Sequence, residues 1–389
     1  SFAIRHLGCI AAINITASHN PKQYNGYKAY WEDGAQLPPK HADIISDKIK
    51  SIDIFNGVKQ DNYADAVKAG KIRVIGEEVD RVYLENVLAQ RVNPDAVKQV
   101  ADDLTVVYTP LHGTGVILVP ASLRKFGFRN IITVKEQNIP DGNFPTVVSP
   151  NPEERATMKM ALDLAAKEKA DLVLATDPDA DRIGVAIPNE NGEYILLNGN
   201  QTCALLTYYL IKRWSDLGRL DGKQYIIKTI VTTGLINRIA EAFGVKCFEC
   251  LTGFKYIAEI IREHEGKMQY IGGGEESFGF LAGDFVRDKD AVSACSLAAE
   301  AAAWARTQGM TLYDLLKDIY VKYGFYKEAM VYIVRKGKEG ADEIKKMMDD
   351  YRANPPKTIG GSPVITIKDY LSSESLDVRD GKRSTIGME

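Results

Sequence analysis

Residues 170–182 read ADLVLATDPDADR: an apolar run from Leu172 to Ala175, then a turn-forming stretch crowded with aspartate. A short continuous apolar run bounded by loop residues predicts a strand buried on both faces. The same pattern recurs along the chain. GCIAAINI runs into TASHNP, LTVVYTP into LHGTG, QYIIKTIVTTG into LINRIAEAFG and KCFECLTG into FKYIAEIIREH, and MQYIGGGEESFG closes the series. Strands buried on both faces need helices on both sides of their sheet, and helical patterns follow several of these runs. The fold class is therefore α/β, built from consecutive similar α/β domains with parallel or mixed sheets. In such sheets ligands collect at the carboxyl ends of strands, so the loops are expected to face one central cleft.

A chain of 389 residues exceeds one ordinary core. Boundaries are expected near 1–95, 96–203, 204–325 and 326–389, the last a partial unit that contains the linker-like NPPK. A formal net charge of −3 gives no basis for a nucleic-acid or anionic-membrane partner. No apolar run is long enough to span a bilayer; the alanine-rich stretch from Ala291 is broken by Ser296 and Glu300. The five cysteines are scattered and odd in number, as expected of reduced thiols in a cytoplasmic protein. Cys247 and Cys250 form a CxxC pair on a strand-like stretch, where positions three apart face opposite sides, so no redox or metal role is expected. No basic stretch followed by a long apolar core marks a signal peptide near Ser1. RDGKRSTIGME stops in polar, turn-like sequence, and both ends read as cuts within a longer protein.

Asp177, Asp179 and Asp181 alternate in TDPDADR. In extended backbone, side chains at i, i+2 and i+4 point the same way, so three carboxylates converge on one hard cation. An EF-hand loop would need glycine and glutamate where this chain has Arg182 and Pro188. Crowded carboxylates repel unless a cation offsets their charge, which favours a Mg²⁺ site. A phosphatase with Asp177 as nucleophile fits the same local pattern and stays open. Mg²⁺ commonly takes a phosphate oxygen, and Arg182 can hold phosphate by paired hydrogen bonds.

ITASHNPKQYNGY, residues 15–27, puts Ser18 and His19 side by side on a bend set by Asn20 and Pro21. Neighbouring side chains diverge, so the pair is not expected to act as nucleophile and base. Ser18 carrying a phosphoryl group would bring oxygens to the metal and a group to transfer. Lys28 could return its ammonium to that phosphate or act on a hydroxyl proton. In IGGGEESFGF, glycines after a strand could cradle phosphate, but Glu275 and Glu276 repel an anion. Glu275 and Ser277 are better suited to sugar hydroxyls.

TASHNPKQYNGYK, DPDADR and GEESFG, in this order, resemble the α-D-phosphohexomutase superfamily, nearest its phosphoglucomutase and phosphopentomutase-like branch. The resemblance implies a four-domain, heart-shaped α/β fold and phosphoryl transfer between carbons of a hexose, or pentose, phosphate. It implies Ser18 as the phosphorylated serine, completing a Mg²⁺ site with Asp177, Asp179 and Asp181, with glucose 1,6-bisphosphate as intermediate. It implies His19 beside the nucleophile, Lys28 in proton transfer and Arg182, Thr252, Gly253, Lys255, Glu275, Ser277 and Lys289 on the substrate. His112 in PLHGTG falls in a second-domain loop and takes no catalytic role. Two parts of the family pattern are missing here: about a hundred residues ahead of the serine loop, and an R-x-S-G-T phosphate clamp in the fourth domain. A monomer or homodimer acting on a sugar phosphate is expected. A Mg²⁺-dependent sugar phosphatase and a non-catalytic sugar-phosphate-binding protein are the alternatives.

Overall fold

The computed structural model describes residues 1–331 and 333–387. They fall into two compact units, Ser1–Tyr326 and Lys327–Glu389. In the first unit, α1 (Phe2–Leu7) leads to β1 (Ala11–Ile15), which pairs antiparallel with β2 (Tyr27–Trp31). The serine loop joins the two, from the carboxyl end of β1. Helices α2 (Pro39–Lys50), α3 (Tyr63–Lys68), α4 (Glu77–Ala89) and α5 (Pro94–Val100) follow.

Next come β3 (Thr105–Thr109), α6 (Gly115–Phe126), β4 (Asn130–Thr133), α7 (Lys159–Glu168), β5 (Leu172–Thr176), β6 (Ile183–Pro188) and β7 (Tyr194–Leu196). Their sheet runs β4-β3-β5-β6-β7, with β4, β3 and β5 parallel and β6 and β7 antiparallel additions. After α8 (Gly199–Asp216) come β8 (Gln224–Thr229), α9 (Leu235–Ala242), β9 (Lys246–Cys250), α10 (Phe254–His264), β10 (Gln269–Gly274) and β11 (Phe280–Ala282). These strands form a second sheet in the order β9-β8-β10-β11, again parallel until an antiparallel last strand. The two sheets therefore repeat one topology. The turn between β5 and β6 in the first corresponds to the turn between β10 and β11 in the second.

Helices α11 (Ala291–Thr307) and α12 (Leu312–Tyr323) complete the first unit. Every residue of α11 from Ala291 to Ala305 is buried, because the helix lies within a core shared by both sheets. Its small side chains allow close approach to neighbouring helices. Glu300, buried in that helix, accepts hydrogen bonds from the N–H groups of Val92 and Asn93, at 3.1 and 2.8 Å. Asn93 in turn caps α5, with Pro94 in the first turn, where its missing N–H costs nothing. Asn198 and Gln201 form a reciprocal capping box at the start of α8.

The second unit contains α13 (Gly337–Ala353), a hairpin of β12 (Thr358–Ile359) and β13 (Ser362–Pro363), and an antiparallel sheet of β14 (Thr366–Asp369), β15 (Glu374–Asp377) and β16 (Arg383–Thr385).

The buried strand β5 is as its apolar run predicts. The equally apolar β1 is not: Ile13 and Ile15 are 66% and 72% exposed, and four of its five residues lie open. An apolar run reports a strand's capacity to be covered, whereas covering depends on what packs there. No strand other than β2 pairs with β1 among the described residues.

Candidate functional site

The three aspartates do converge, by a different route from the one their spacing suggests. Residues 177–181 form a turn rather than extended backbone, and Ala180 adopts a left-handed conformation with φ 55°. Asp177 Oδ1 accepts from the N–H groups of Asp181 and Arg182, at 3.1 and 3.0 Å, curling the turn around the first carboxylate. One carboxylate oxygen from each aspartate lies within 4.8 Å of the others. Burial, reinforced by the charges of Asp181 and Asp179, pushes the Asp177 carboxyl well above its ordinary range. Burial would raise Asp181 as well, but Lys289 and Lys28 outweigh it and hold that carboxyl low. Asp179 Oδ1 and Asp181 Oδ1 are buried and accept no hydrogen bond among the described residues. An all-oxygen cluster with buried, unused lone pairs fits a hard divalent cation such as Mg²⁺.

The serine loop is held against this cluster. Thr16 Oγ1 accepts from the Ser18 N–H at 2.8 Å and donates to Asp179 Oδ2 at 3.1 Å. Asn20 turns the loop by donating its N–H and its side-chain amide to the Ala17 carbonyl, at 3.2 and 2.9 Å. Ser18 Oγ donates to Asp177 Oδ2 at 3.1 Å, across 159 residues of sequence. His19 Nδ1 lies 3.2 Å from the same Oγ, so the expected divergence of the neighbouring side chains does not occur. The reason is the left-handed backbone of Ser18, φ 55°, which folds both side chains to one side. Burial, together with the positive charge of Arg182, lowers the His19 pKa to about 4, so the imidazole is neutral at pH 7.

Lys28 and Tyr30 share one face of β2, as residues two apart on a strand must. Lys28 Nζ donates to Asp179 Oδ2 at 2.8 Å and to Asp181 Oδ2 at 2.6 Å. Burial works against its charge, but Asp181 and Asp179 outweigh it and raise its pKa. In this arrangement Lys28 is a proton donor and not an acceptor. Tyr30 donates to Asp288 Oδ2 at 2.8 Å. Lys289, next in sequence, has its side chain 8% exposed and lies 3.0 Å from Asp181 Oδ2.

The three glycines before Glu275 are not a phosphate cradle. Gly272, Gly273 and Gly274 belong to β10, and a Cβ on Gly273 would fall 2.0 Å from the Ile227 carbonyl oxygen of β8. They are small so that two strands can approach. Glu275 is buried, which raises its pKa, and its Oε1 accepts from the Gly253 N–H at 2.8 Å. That bond ties the LTG loop to the β10–β11 turn. Glu276 points into the fold and accepts from the Thr229 and Thr232 hydroxyls, both at 2.9 Å. Thr252 is exposed, and Lys255 Nζ lies 5.1 Å from the centre of the Tyr256 ring. Ser277 is half-buried, and its carbonyl accepts from Arg182 Nη1 at 2.9 Å. Arg182 therefore spans the aspartate turn and the Glu275 turn.

His112 is locked away from this chemistry, its ring nitrogens 2.9 Å from the Ile139 carbonyl and 2.8 Å from the Thr146 hydroxyl. Cys247 and Cys250 are free thiols, each raised to about 12 by burial, which makes them inert. Sequence reading missed Thr16, Ser149 and Glu153. Ser149 donates to the His19 carbonyl at 3.0 Å, and Glu153 Oε1 accepts from Arg182 Nη1 at 3.3 Å. The only signal for Ser149 and Glu153 was SPNPEE, a proline-stiffened loop without periodicity, whereas Thr16 stood within the serine loop itself.

A strand-end serine facing an acidic turn, in a chain with two α/β sheets of one topology, defines a class of phosphoryl-transfer folds. Three models of phosphoglucomutase/phosphomannomutase alpha/beta/alpha domains match: domain I over residues 1–54, domain II over 81–192 and domain III over 198–323. The chain belongs to this family, within the α-D-phosphohexomutase superfamily. It is 39% identical over 374 residues to a phosphoglucomutase of Staphylococcus aureus, covering 96% of this chain and 66% of the relative. It is 37% identical to the phosphoglucomutase of Staphylococcus saprophyticus, covering 98% of this chain and 68% of that one. The chain thus spans about two thirds of the length of these relatives, just under that for the first. Among solved structures, its fold resembles parafusin, a phosphoglucomutase of Paramecium, with a TM-score of 0.64 at 17% identity, covering 99% of this chain and 69% of that chain. It also resembles the N-acetylphosphoglucosamine mutase of Aspergillus fumigatus in complex with GlcNAc-6P and magnesium. There the TM-score is 0.51 at 16% identity, with coverage of 83% and 74%. No helix among the described residues is long and apolar enough to cross a membrane.

Proposed function

We propose that the chain carries the phosphoryl-transfer centre of a phosphohexomutase that interconverts glucose 1-phosphate and glucose 6-phosphate. The observation that carries this reading is the 3.1 Å approach of Ser18 Oγ to Asp177 inside the three-aspartate cluster. The phosphoglucomutase relatives support glucose, and the Aspergillus fumigatus mutase, solved with magnesium and also with glucose 1,6-bisphosphate, supports the ion and the intermediate. Ser18 is the phosphoryl carrier, and it and Asp177, Asp179 and Asp181 would hold Mg²⁺. When bound, that ion neutralises charge on the transferring phosphoryl oxygens.

The protein's own groups handle the protons. When a phosphoryl group returns to Ser18, the Oγ–P bond forms as the bond from phosphorus to the sugar oxygen breaks. The Ser18 proton has two acceptors within reach, His19 Nδ1 and Asp177 Oδ2. The departing sugar oxygen takes its proton from the Lys28 ammonium. Glu275 and Ser277 receive sugar hydroxyls, while Arg182, Lys255 and Lys289 face phosphate, with Thr252 and Gly253 shaping the loop beside them. Asp177 is poorly placed as a phosphatase nucleophile. It is fully buried, and both of its oxygens are engaged, by two backbone N–H groups and by Ser18.

The test is a coupled assay of glucose 1-phosphate conversion, primed with glucose 1,6-bisphosphate and Mg²⁺. Ser18→Ala is expected to lose on the order of 10³-fold or more in kcat, because the carrier atom is gone. Ser18→Ala at wild-type rate, or stoichiometric release of inorganic phosphate by the wild type, would refute the assignment.

A further inference from the structure

Arg182 is the point where the two corresponding turns are joined. Ile183 N–H donates to the Phe278 carbonyl at 3.0 Å, and Arg182 and Gly279 form a backbone bridge between the turns. The Arg182 guanidinium adds a third tie through the Ser277 carbonyl. It has two acidic neighbours. Glu153 Oε1 is 3.3 Å from Nη1, and Asp181 Oδ1, on a candidate metal ligand, is 3.9 Å from Nε. Both Arg182 and Glu153 are largely withdrawn from water, with side chains 18% and 12% exposed. The position of Glu153 is fixed by its neighbour. Pro152 is buried against β6 at Gly184, where a Cβ would fall 2.8 Å from the proline Cβ. Without that glycine the loop could not lie so close, and Glu153 could not meet the guanidinium.

We propose that Glu153 is a positioning residue. It holds Arg182 Nη1 in the seam and keeps the guanidinium from closing the 3.9 Å between its Nε and Asp181 Oδ1, so that Mg²⁺ at the aspartate turn and a sugar phosphate at the Glu275 turn bind cooperatively. The proposal rests on the mutase reading above. Its physical basis is that Arg182 directly follows one ligand and grips the backbone of the other turn. A guanidinium free to leave the Ser277 carbonyl and close onto Asp181 would couple neither turn to the other and would compete for a metal ligand.

The test is calorimetric titration of the 389-residue chain with Mg²⁺, with and without saturating glucose 6-phosphate. The wild type is expected to bind Mg²⁺ at least about fivefold more tightly when the sugar phosphate is present. Glu153→Asp keeps the charge but withdraws the carboxylate by one methylene, and its coupling is expected to fall below about twofold. Glu153→Gln keeps an acceptor at the right distance and is expected to stay within about twofold of wild-type coupling. Wild-type coupling in Glu153→Asp overturns the proposal, as does a loss in Glu153→Gln equal to that in Glu153→Asp. Wild-type binding of glucose 6-phosphate with no effect on Mg²⁺ overturns it while leaving the mutase reading intact. Absence of any glucose 6-phosphate binding by the wild type overturns both.

Discussion

Lys28→Met removes an ammonium that sits between two carboxylates, and the structure fixes what that should cost. Lys28 Nζ lies 2.8 Å from Asp179 and 2.6 Å from Asp181, and the side chains are 19%, 7% and 11% exposed. Losing one partner of a buried ion pair typically costs about 3–5 kcal/mol, since the orphaned charge stays desolvated. Two features reduce the figure here. Asp181 keeps Lys289 at 3.0 Å, and the Lys28 side chain is partly wet. Among the described residues, Asp179 keeps the Thr16 hydroxyl at 3.1 Å as its one remaining hydrogen-bond donor. A loss of about 2–3 kcal/mol follows in metal-free protein, or roughly 2–4 °C in Tm for a chain of this size.

Because the Lys28 pKa is raised on folding, its contribution is fully present below the ordinary lysine value and is lost only as pH rises through the folded one. At neutral pH the whole effect is measurable. Added Mg²⁺ would supply the missing positive charge, so the gap between mutant and wild type should shrink to less than half. Thermal denaturation in EDTA and in excess Mg²⁺ measures both quantities. A gap that is the same in both buffers would refute the placement of the ammonium and the cation on the same carboxylates.

Two further outcomes can be checked directly. His19 should titrate near 4 by proton NMR and not near the ordinary histidine value. The unfolded chain takes its proton first as pH falls, so the stability linked to His19 is complete above about 6.5 and is lost towards 4. An ordinary pKa would mean the ring is not held at Ser18. Gly273→Ala should destabilise by about 3 kcal/mol in urea denaturation, because its Cβ meets strand backbone that no rotamer change can move. A change below about 0.5 kcal/mol would show that β8 and β10 do not approach as described.

Much of this was legible in residue order, and the exceptions have physical causes. Leu172–Thr176 is a fully buried strand because its apolar run has no polar face to leave in water, whereas Gln224–Thr229 is fully buried although it carries Lys228, whose ammonium is met by Glu249 at 3.0 Å and the Thr232 carbonyl at 3.1 Å. The aspartate cluster was legible as a composition, but not as a geometry. A left-handed Ala180 makes the turn, and alanine gives no warning of it. The same holds for Ser18, whose φ of 55° brings His19 to the hydroxyl. Such torsions depend on contacts that residue order does not show, here the bond from Ser18 to Asp177 across 159 residues, added to the local one to Thr16. Glu153 was invisible for a related reason: its role depends on Pro152 meeting Gly184, and neither residue signals the other.

The repeated topology explains why two such different loops stand together. Asp177 is the first residue after β5, and Glu275 is the first after β10. Each is a buried acid whose carboxyl is raised chiefly by burial, and each accepts a backbone N–H. Three residues later each turn has a left-handed residue, Ala180 at φ 55° and Phe278 at φ 65°. The side-chain length separates their chemistry. Aspartate is short and folds back onto its own turn, where Asp179 and Asp181 crowd it and create a demand for a cation. Glutamate is longer by one methylene and reaches across to Gly253 at the start of α10. Its turn carries Ser277 and Gly279 where the other carries acids, and Glu276 is taken up by the Thr229 and Thr232 hydroxyls, so Glu275 is the one carboxylate left beside Ser277. One turn scaffold, bridged edge to edge at Arg182, thereby sets the proposed cation site and the proposed sugar-hydroxyl site side by side. A reaction that needs both can use them only while that bridge holds.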